Sequence, residues 1–258
     1  MILDKIVQNK RKEIILLKKK RPLGVLIRAL GKKCTKNNFY KALSSAKDMA
    51  VIAEIKRKSP SKGILRKNFK PAELALDFQA SGASALSVLT DEKFFGGSLQ
   101  ILKKVRVVTR LPILRKDFIL DEYQVYEAAL AGADAILLIA AILKPAELLK
   151  LNQTASSLGL DVLLEVHDKT DVQKILPLKP KIVGINNRDL RTFKVDLSAT
   201  EKLAKYFSKK TLLVSESGIF TRDDIGRVKK AGARAVLVGE SLMKEPHPGG
   251  ALLQLLRK

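Results

Sequence analysis

From Val51 onward, short apolar runs alternate with longer stretches in which charged and apolar positions are mixed. The apolar runs at 50–56, 84–89, 111–116, 134–139, 161–166, 181–186, 211–215 and 235–239 read as strands, and the intervening stretches as amphipathic helices. A repeat of about 25 residues is the rhythm of βα units feeding a parallel sheet. Three joints look alike: Ser81-Gly82-Ala83, Ala131-Gly132-Ala133 and Ala231-Gly232-Ala233. In each, a glycine suited to the left-handed position ends a helix, and small residues lead into a strand. Eight such units suggest a (β/α)8 TIM barrel spanning 1–258 as one domain. The same spacing fits a doubly wound sheet less neatly, and no glycine-rich dinucleotide or P-loop motif supports one. Residues 1–48 precede the first strand. Ile2, Leu3, Ile6, Ile14, Ile15 and Leu16 alternate with charges there, which predicts an N-terminal helical extension packed on the barrel, joined to it through Lys18–Arg21 and Gly31.

A parallel strand buried on both faces has few polar residues until its end, and side chains two apart share a face. On that parity Ile52, Glu54 and Lys56 align, as do Leu114 and Lys116, and Leu163, Glu165 and His167. Asn186 and Arg188 follow Ile182 and Gly184, while Leu213, Ser215 and Ser217 align before Gly218. Each row runs from apolar to functional at the C-terminal end, where barrel enzymes place their chemistry. Glu54 and Lys56 also fit a purely structural ion pair capping the barrel. Two lysines and two glutamates on three strands suit general acid–base work, with crowding expected to bring both residue types toward neutrality. Ser217-Gly218 and Gly239-Glu240-Ser241 each follow a strand and can offer backbone N–H groups to an anion, and the Ser59-Pro60-Ser61 loop can add a hydroxyl.

Composition narrows the rest. Apolar residues are 46% and charged residues 29%, enough for a substantial core. The formal net charge is +23, and residues 1–70 alone hold 21 Lys and Arg against 4 Asp and Glu. Such a field attracts anionic metabolites. Aromatics for base stacking are scarce in that stretch, so no specific nucleic-acid partner is expected. The longest apolar run, Ala135–Leu143, is too short to cross a membrane, and the N-terminus is charged too early for a signal peptide. Cys34 stands alone, excluding an internal disulfide and pointing to a reducing, cytoplasmic setting. His167 and His247 lack ligand partners at useful spacing, so no metal is expected.

The motifs IAEIKRKSPSKG (52–63), LTDEKFFGGS (89–98), ILRKDFILDEYQVYEAALAGADAILLI (113–139), LLEVHD (163–168), GINNRDLRTFKVDL (184–197), VSESGI (214–219) and VLVGESLM (236–243) together resemble the indole-3-glycerol-phosphate synthase family. The resemblance extends to ILDKIVQNKRKEI, which is similar to that family's extra N-terminal helix.

It implies a lyase of tryptophan biosynthesis that acts without a cofactor. The enzyme would close the ring of 1-(2-carboxyphenylamino)-1-deoxyribulose 5-phosphate and release carbon dioxide and water. By the same resemblance, Lys116 matches the general acid and Glu165 the general base. Lys56 matches the lysine on the substrate carboxylate, with Glu54 as its partner. Asn186 and Arg188 match polar residues that hold the substrate. Ser59, Ser217, Gly218, Gly239 and Glu240 (through its N–H) match the phosphate site. Phe95, Phe118, Leu137 and Leu190 match the apolar walls around the aromatic ring. The expected partner is a small anionic substrate; no membrane is involved, and a monomer is expected in preference to a dimer. Read from the residues alone, a phosphoribosylanthranilate isomerase, a Schiff-base aldolase or a basic nucleic-acid-binding barrel remain rivals.

Overall fold

The computed structural model describes residues 2–31, 38–189 and 192–256. Eight parallel strands close into a barrel: β1 (Ala50–Ile55), β2 (Ala85–Leu89), β3 (Ile113–Lys116), β4 (Ala135–Ile139), β5 (Asp161–Val166), β6 (Ile182–Asn186), β7 (Leu212–Glu216) and β8 (Ala235–Val238). Each pairs with its sequence neighbours, and β1 pairs with β8 to complete the ring, which is the (β/α)8 TIM barrel expected. All eight strands lie within or one residue beyond the segments read from the sequence. A two-stranded hairpin, Lys58–Ser59 with Gly63–Ile64, adds itself in the loop after β1.

The barrel strands are buried except at Lys116, Val162 and Asn186, which are partly exposed, and their two faces feed two cores. Ala50, Ile52, Ala85, Leu114, Ala135, Leu137, Leu163, Ile182, Leu212, Val214, Ala235 and Leu237 fill the barrel interior. Val51, Ala53, Ile55, Leu86, Val88, Ile113, Ile136, Val183, Leu213 and Val236 face outward onto the helices. Helix starts are marked by side-chain caps, as at Ser98, Asp121, Asp168 and Thr221, or by proline in the first turn at Pro71 and Pro145. The three glycine joints adopt the expected positive φ, with Gly82 at 90°, Gly132 at 85° and Gly232 at 103°.

The N-terminal extension differs from the expectation in detail. Among the described residues it holds three helices: α1 (Ile2–Lys20), α2 (Leu23–Leu30) and α3 (Asn38–Ser44). Lys18–Lys20 finish α1 as a basic last turn, where they complement the helix dipole, and Gly31 ends α2; neither joins the extension directly to the barrel. The chain enters β1 from α3, whose Phe39 and Leu43 plug the N-terminal end of the barrel interior. There Tyr40 N donates to Asp161 Oδ2 at 2.8 Å. At the opposite end α1 places Ile2, Leu3 and Ile6 against the barrel mouth. Cys34 lies outside the described residues.

Candidate active site

The inward row of each strand decides what reaches the mouth. Along β1, Ala50 and Ile52 lead to Glu54; along β3, Leu114 leads to Lys116; along β5, Leu163 leads to Glu165; along β6, Ile182 and Gly184 lead to Asn186. On β7 the inward row is Leu212, Val214 and Glu216, which corrects the reading of Leu213, Ser215 and Ser217. Both rows of that strand begin with an apolar residue, so alternation alone does not choose between them. Ser215 points outward, where its Oγ lies 2.9 Å from Asn187 Nδ2 and 2.8 Å from Thr200 Oγ1. Ser217 still reaches the mouth because the backbone turns there, with φ of 66° at Ser217 and 81° at Gly218.

Fourteen of the fifteen site residues expected from the sequence line one cleft at this mouth: Glu54, Lys56, Ser59, Phe95, Lys116, Phe118, Leu137, Glu165, Asn186, Arg188, Ser217, Gly218, Gly239 and Glu240. Leu190 lies outside the described residues. Glu216 joins them, and it is the residue that strand alternation missed. The available signal was the charged end of the inward rows on β1, β3 and β5, which a carboxylate at the end of β7 continues.

Lys116 stands at the centre of this charge cluster. Its Nζ is 2.5 Å from Glu216 Oε2 and 3.2 Å from Glu165 Oε2. Burial opposes its charge, yet Glu216, Glu165 and Glu54 together hold the ammonium above its ordinary range. Glu165 is also buried, and burial again opposes the charge. Lys116, His167 and a hydrogen bond from Asn186 prevail and keep it below the usual carboxylate range. Both directions run against the expected drift toward neutrality, because each group meets opposite charge rather than like charge. The neutral-leaning group is Glu216. Burial raises it, Lys116 opposes, and the nearby Glu165 and Glu54 add to the rise, leaving it at about 7.

The remaining polar groups are held in place from behind. Lys56 pairs with Glu54. Asn186 Oδ1 accepts from Ser217 Oγ at 2.9 Å and from Arg188 N at 3.0 Å, which fixes the amide and turns its NH2 toward Glu165. Arg188 donates to Glu240 Oε2 at 3.1 Å and to the Phe193 carbonyl at 3.3 Å. The Glu240 carboxylate is also bound to Lys244 at 2.7 Å, so it is occupied away from the cleft while its N–H opens a helix (Glu240–Lys244). The first N–H groups of that helix have no intrahelical acceptor. Ser59 Oγ is buried with no hydrogen-bond partner among the described residues.

Around the ring of strands the lining divides by chemistry. Leu89, Phe95, Phe118, Leu137 and Ile139, from β2 to β4, are apolar, and the Phe95 and Phe118 rings pack 5.9 Å apart. Ser217, Gly218, Gly239, Glu240 and Ser59, after β7, β8 and β1, present hydroxyls and backbone N–H groups. The Lys116 cluster lies between them. Such an arrangement can hold an aromatic ring at one end and an anion at the other, with a proton donor and acceptor over the bonds between.

Known proteins bear on this arrangement. A family model described as indole-3-glycerol phosphate synthase matches residues 3–255. A protein of that name from Albidiferax ferrireducens is 48% identical over 98% of this chain and 97% of its own. Another from Polaromonas sp. is 48% identical with the same coverage, and one from Polaromonas naphthalenivorans is 46% identical over 98% of each chain. Among solved structures, KGPDC from Streptococcus mutans superposes with a TM-score of 0.62 at 11% identity, over 81% of this chain and 96% of that one. Thiamine phosphate pyrophosphorylase from Pyrococcus furiosus gives 0.59 at 16% identity, over 80% and 93%. At those identities the two structures speak for the fold alone.

Proposed function

Since the chain belongs to the indole-3-glycerol phosphate synthase family, we propose that its conversion of 1-(2-carboxyphenylamino)-1-deoxyribulose 5-phosphate runs on Lys116 as general acid and Glu165 as general base. The reaction is a carboxy-lyase step of tryptophan biosynthesis that yields indole-3-glycerol phosphate, carbon dioxide and water. The observation that carries the assignment is the position of Lys116 Nζ, half-buried at the cleft floor between Glu165 and Glu216.

The chemistry follows from that position. The substituted carbon of the aromatic ring attacks the ketone, and negative charge builds on the ketone oxygen. Lys116 supplies a proton there, held fully charged until needed by the carboxylates around it. Loss of the carboxylate as carbon dioxide restores aromaticity. Departure of the new hydroxyl as water needs a second proton, and Glu165, which is ionised, removes one from carbon or nitrogen of the closing ring. Glu216 completes the Lys116 pair and keeps the ammonium aimed into the cleft.

Binding supplies much of the rate. Ser59, Ser217 and the N–H groups of Gly218, Gly239 and Glu240 receive the phosphate. Phe95, Phe118 and Leu137 clasp the ring, and Leu190 is proposed to complete that wall. Lys56, oriented by Glu54, meets the substrate carboxylate, while Asn186 and Arg188 meet the hydroxyls. Holding both ends converts ring closure from an entropically costly search into a short approach. The test is an indole-fluorescence time course with wild type, Lys116→Ala and Glu165→Gln. Loss of turnover by about a hundredfold or more in each variant, with the fold and substrate binding retained, supports the roles. Turnover at the wild-type rate in either variant removes that residue from its role.

A further inference from the structure

The balance of the reaction leaves one proton to be found. With the substrate carboxylate ionised, one proton goes onto the ketone oxygen and a second leaves with it as water. The closing ring returns one proton to the base, and carbon dioxide departs leaving its bonding pair on the ring. Each turnover therefore draws one proton from solvent into a site whose acid is half-buried and whose base is buried. Glu165 and Lys116 can exchange a proton between themselves, but that exchange adds none.

Glu165 divides its two oxygens. Oε2 faces Lys116 at 3.2 Å, and Oε1 faces His167 Nε2 at 3.4 Å. On the other side of the imidazole, His167 Nδ1 is 3.6 Å from Asp171 Oδ2, and Asp171 Oδ1 is 3.7 Å from Lys174 Nζ. His167, Asp168, Asp171 and Lys174 line a second groove beside the cleft, walled by α1 at Leu3–Gln8 and by the loop after β6. Both imidazole nitrogens are buried and neither has a hydrogen-bond partner among the described residues. Two buried ring nitrogens left open on a half-buried histidine call for a reason. Here it stands between two carboxylates, a few tenths of an ångström beyond hydrogen-bond length from each.

We propose that His167 relays the incoming proton from the second groove to Glu165. The neutral ring, carrying its proton on Nε2, accepts one at Nδ1 from the Asp171 side and gives the Nε2 proton to Glu165 Oε1; it is left as the Nδ1–H tautomer and returns to the Nε2–H form before the next turnover. The relay rests on the reading of Glu165 as the base. The groups that face His167 are Glu165 from β5, Asp171 from the following helix (Lys169–Ile175) and, farther off, Glu216 from β7. Burial alone would lower its pKa, but these carboxylates outweigh it and raise the group above its ordinary value, which favours the charged ring through which the proton passes. His167 acts on the substrate only through Glu165, which makes it a positioning and relay residue.

The experiment is single-turnover indole formation by wild type, His167→Gln and His167→Asn across pH 5.5–9, in H2O and D2O, with and without added imidazole. Glu165→Gln serves as the control. The relay predicts a fall of about a hundredfold with KM nearly unchanged, a displaced pH profile, and partial recovery with imidazole. Wild-type rates in both histidine variants overturn it. So does a fall that neither responds to imidazole nor alters the pH profile, since that marks a packing role. If one variant fails to fold, the other and the wild-type solvent isotope effect decide, and a wild-type rate indifferent to D2O overturns the relay. Activity in Glu165→Gln would instead strike at the base assignment beneath it.

Discussion

Gly184 on β6 leaves the space that Glu216 on β7 fills: a β-carbon at 184 would overlap the Glu216 carboxylate. The same carboxylate meets Lys116 across the barrel mouth at 2.5 Å. A missing side chain on one strand thus permits an ion pair between two others.

Gly184→Ala should therefore act through Glu216. Its methyl displaces the carboxylate from Lys116, or strains the strand at a cost of about 1–3 kcal/mol. We expect kcat to fall about tenfold or more with KM changed less, because the cleft walls are intact. Steady-state kinetics beside a urea melt separates the two effects.

Glu216→Gln should show opposite signs in activity and stability. The folded carboxyl titrates near 7, above the ordinary 4.5. Between those values the folded state holds a proton that the unfolded state has released, so this group's contribution to stability declines as pH rises from 4.5 to 7. Above pH 7 the buried charge is a standing cost. The glutamine variant should melt a few degrees higher than wild type at pH 8, and the gain should vanish toward pH 5. Its kcat should fall, and any inflection near pH 7 in the wild-type profile should be lost. Calorimetry and a pH–rate series read both.

Lys10 on α1 is nearly fully buried and reaches Asp91 at 3.0 Å and Asp117 at 3.1 Å, the latter adjacent in sequence to Lys116. It pins the helix whose Ile2, Leu3 and Ile6 border the cleft. Lys10→Met strands those carboxylates and should cost about 3 kcal/mol at pH 7. Burial opposes the Asp117 charge, but Arg115 and Lys10 outweigh it and hold the group at about 2. The stability it provides is complete above pH 4 and is lost as pH falls toward 2, so the gap between variant and wild type should close over that range. KM should rise, as the α1 border of the cleft loosens.

Gly239→Ala should weaken anion binding. A β-carbon there would stand 2.5 Å from Glu54 Oε1, so Glu54 must shift and the turn into the following helix with it. Inhibition by inorganic phosphate should weaken about tenfold, measured against turnover at fixed substrate.

The order of strands and helices was legible along the chain because a βα repeat writes its period into apolar runs and glycine joints, which are local. Glu54, Lys116, Glu165 and Asn186 were legible as well, since each ends an inward row whose neighbours declare its face. Glu216 was not: Leu212 and Leu213 are both apolar, and only closure of β7 against β6 and β8 chose the row. The three-part build of the N-terminal extension was equally hidden, because its helices earn their place by what they cover. Charge states were decided by the fold alone. The sequence supplies two lysines and four glutamates to one mouth; distance then holds Lys116 and Glu165 ionised and brings Glu216 to titrate near 7. What a residue is and which way it faces are local matters of composition and period. What it weighs electrostatically depends on partners a hundred residues away, and those meet only when the barrel closes.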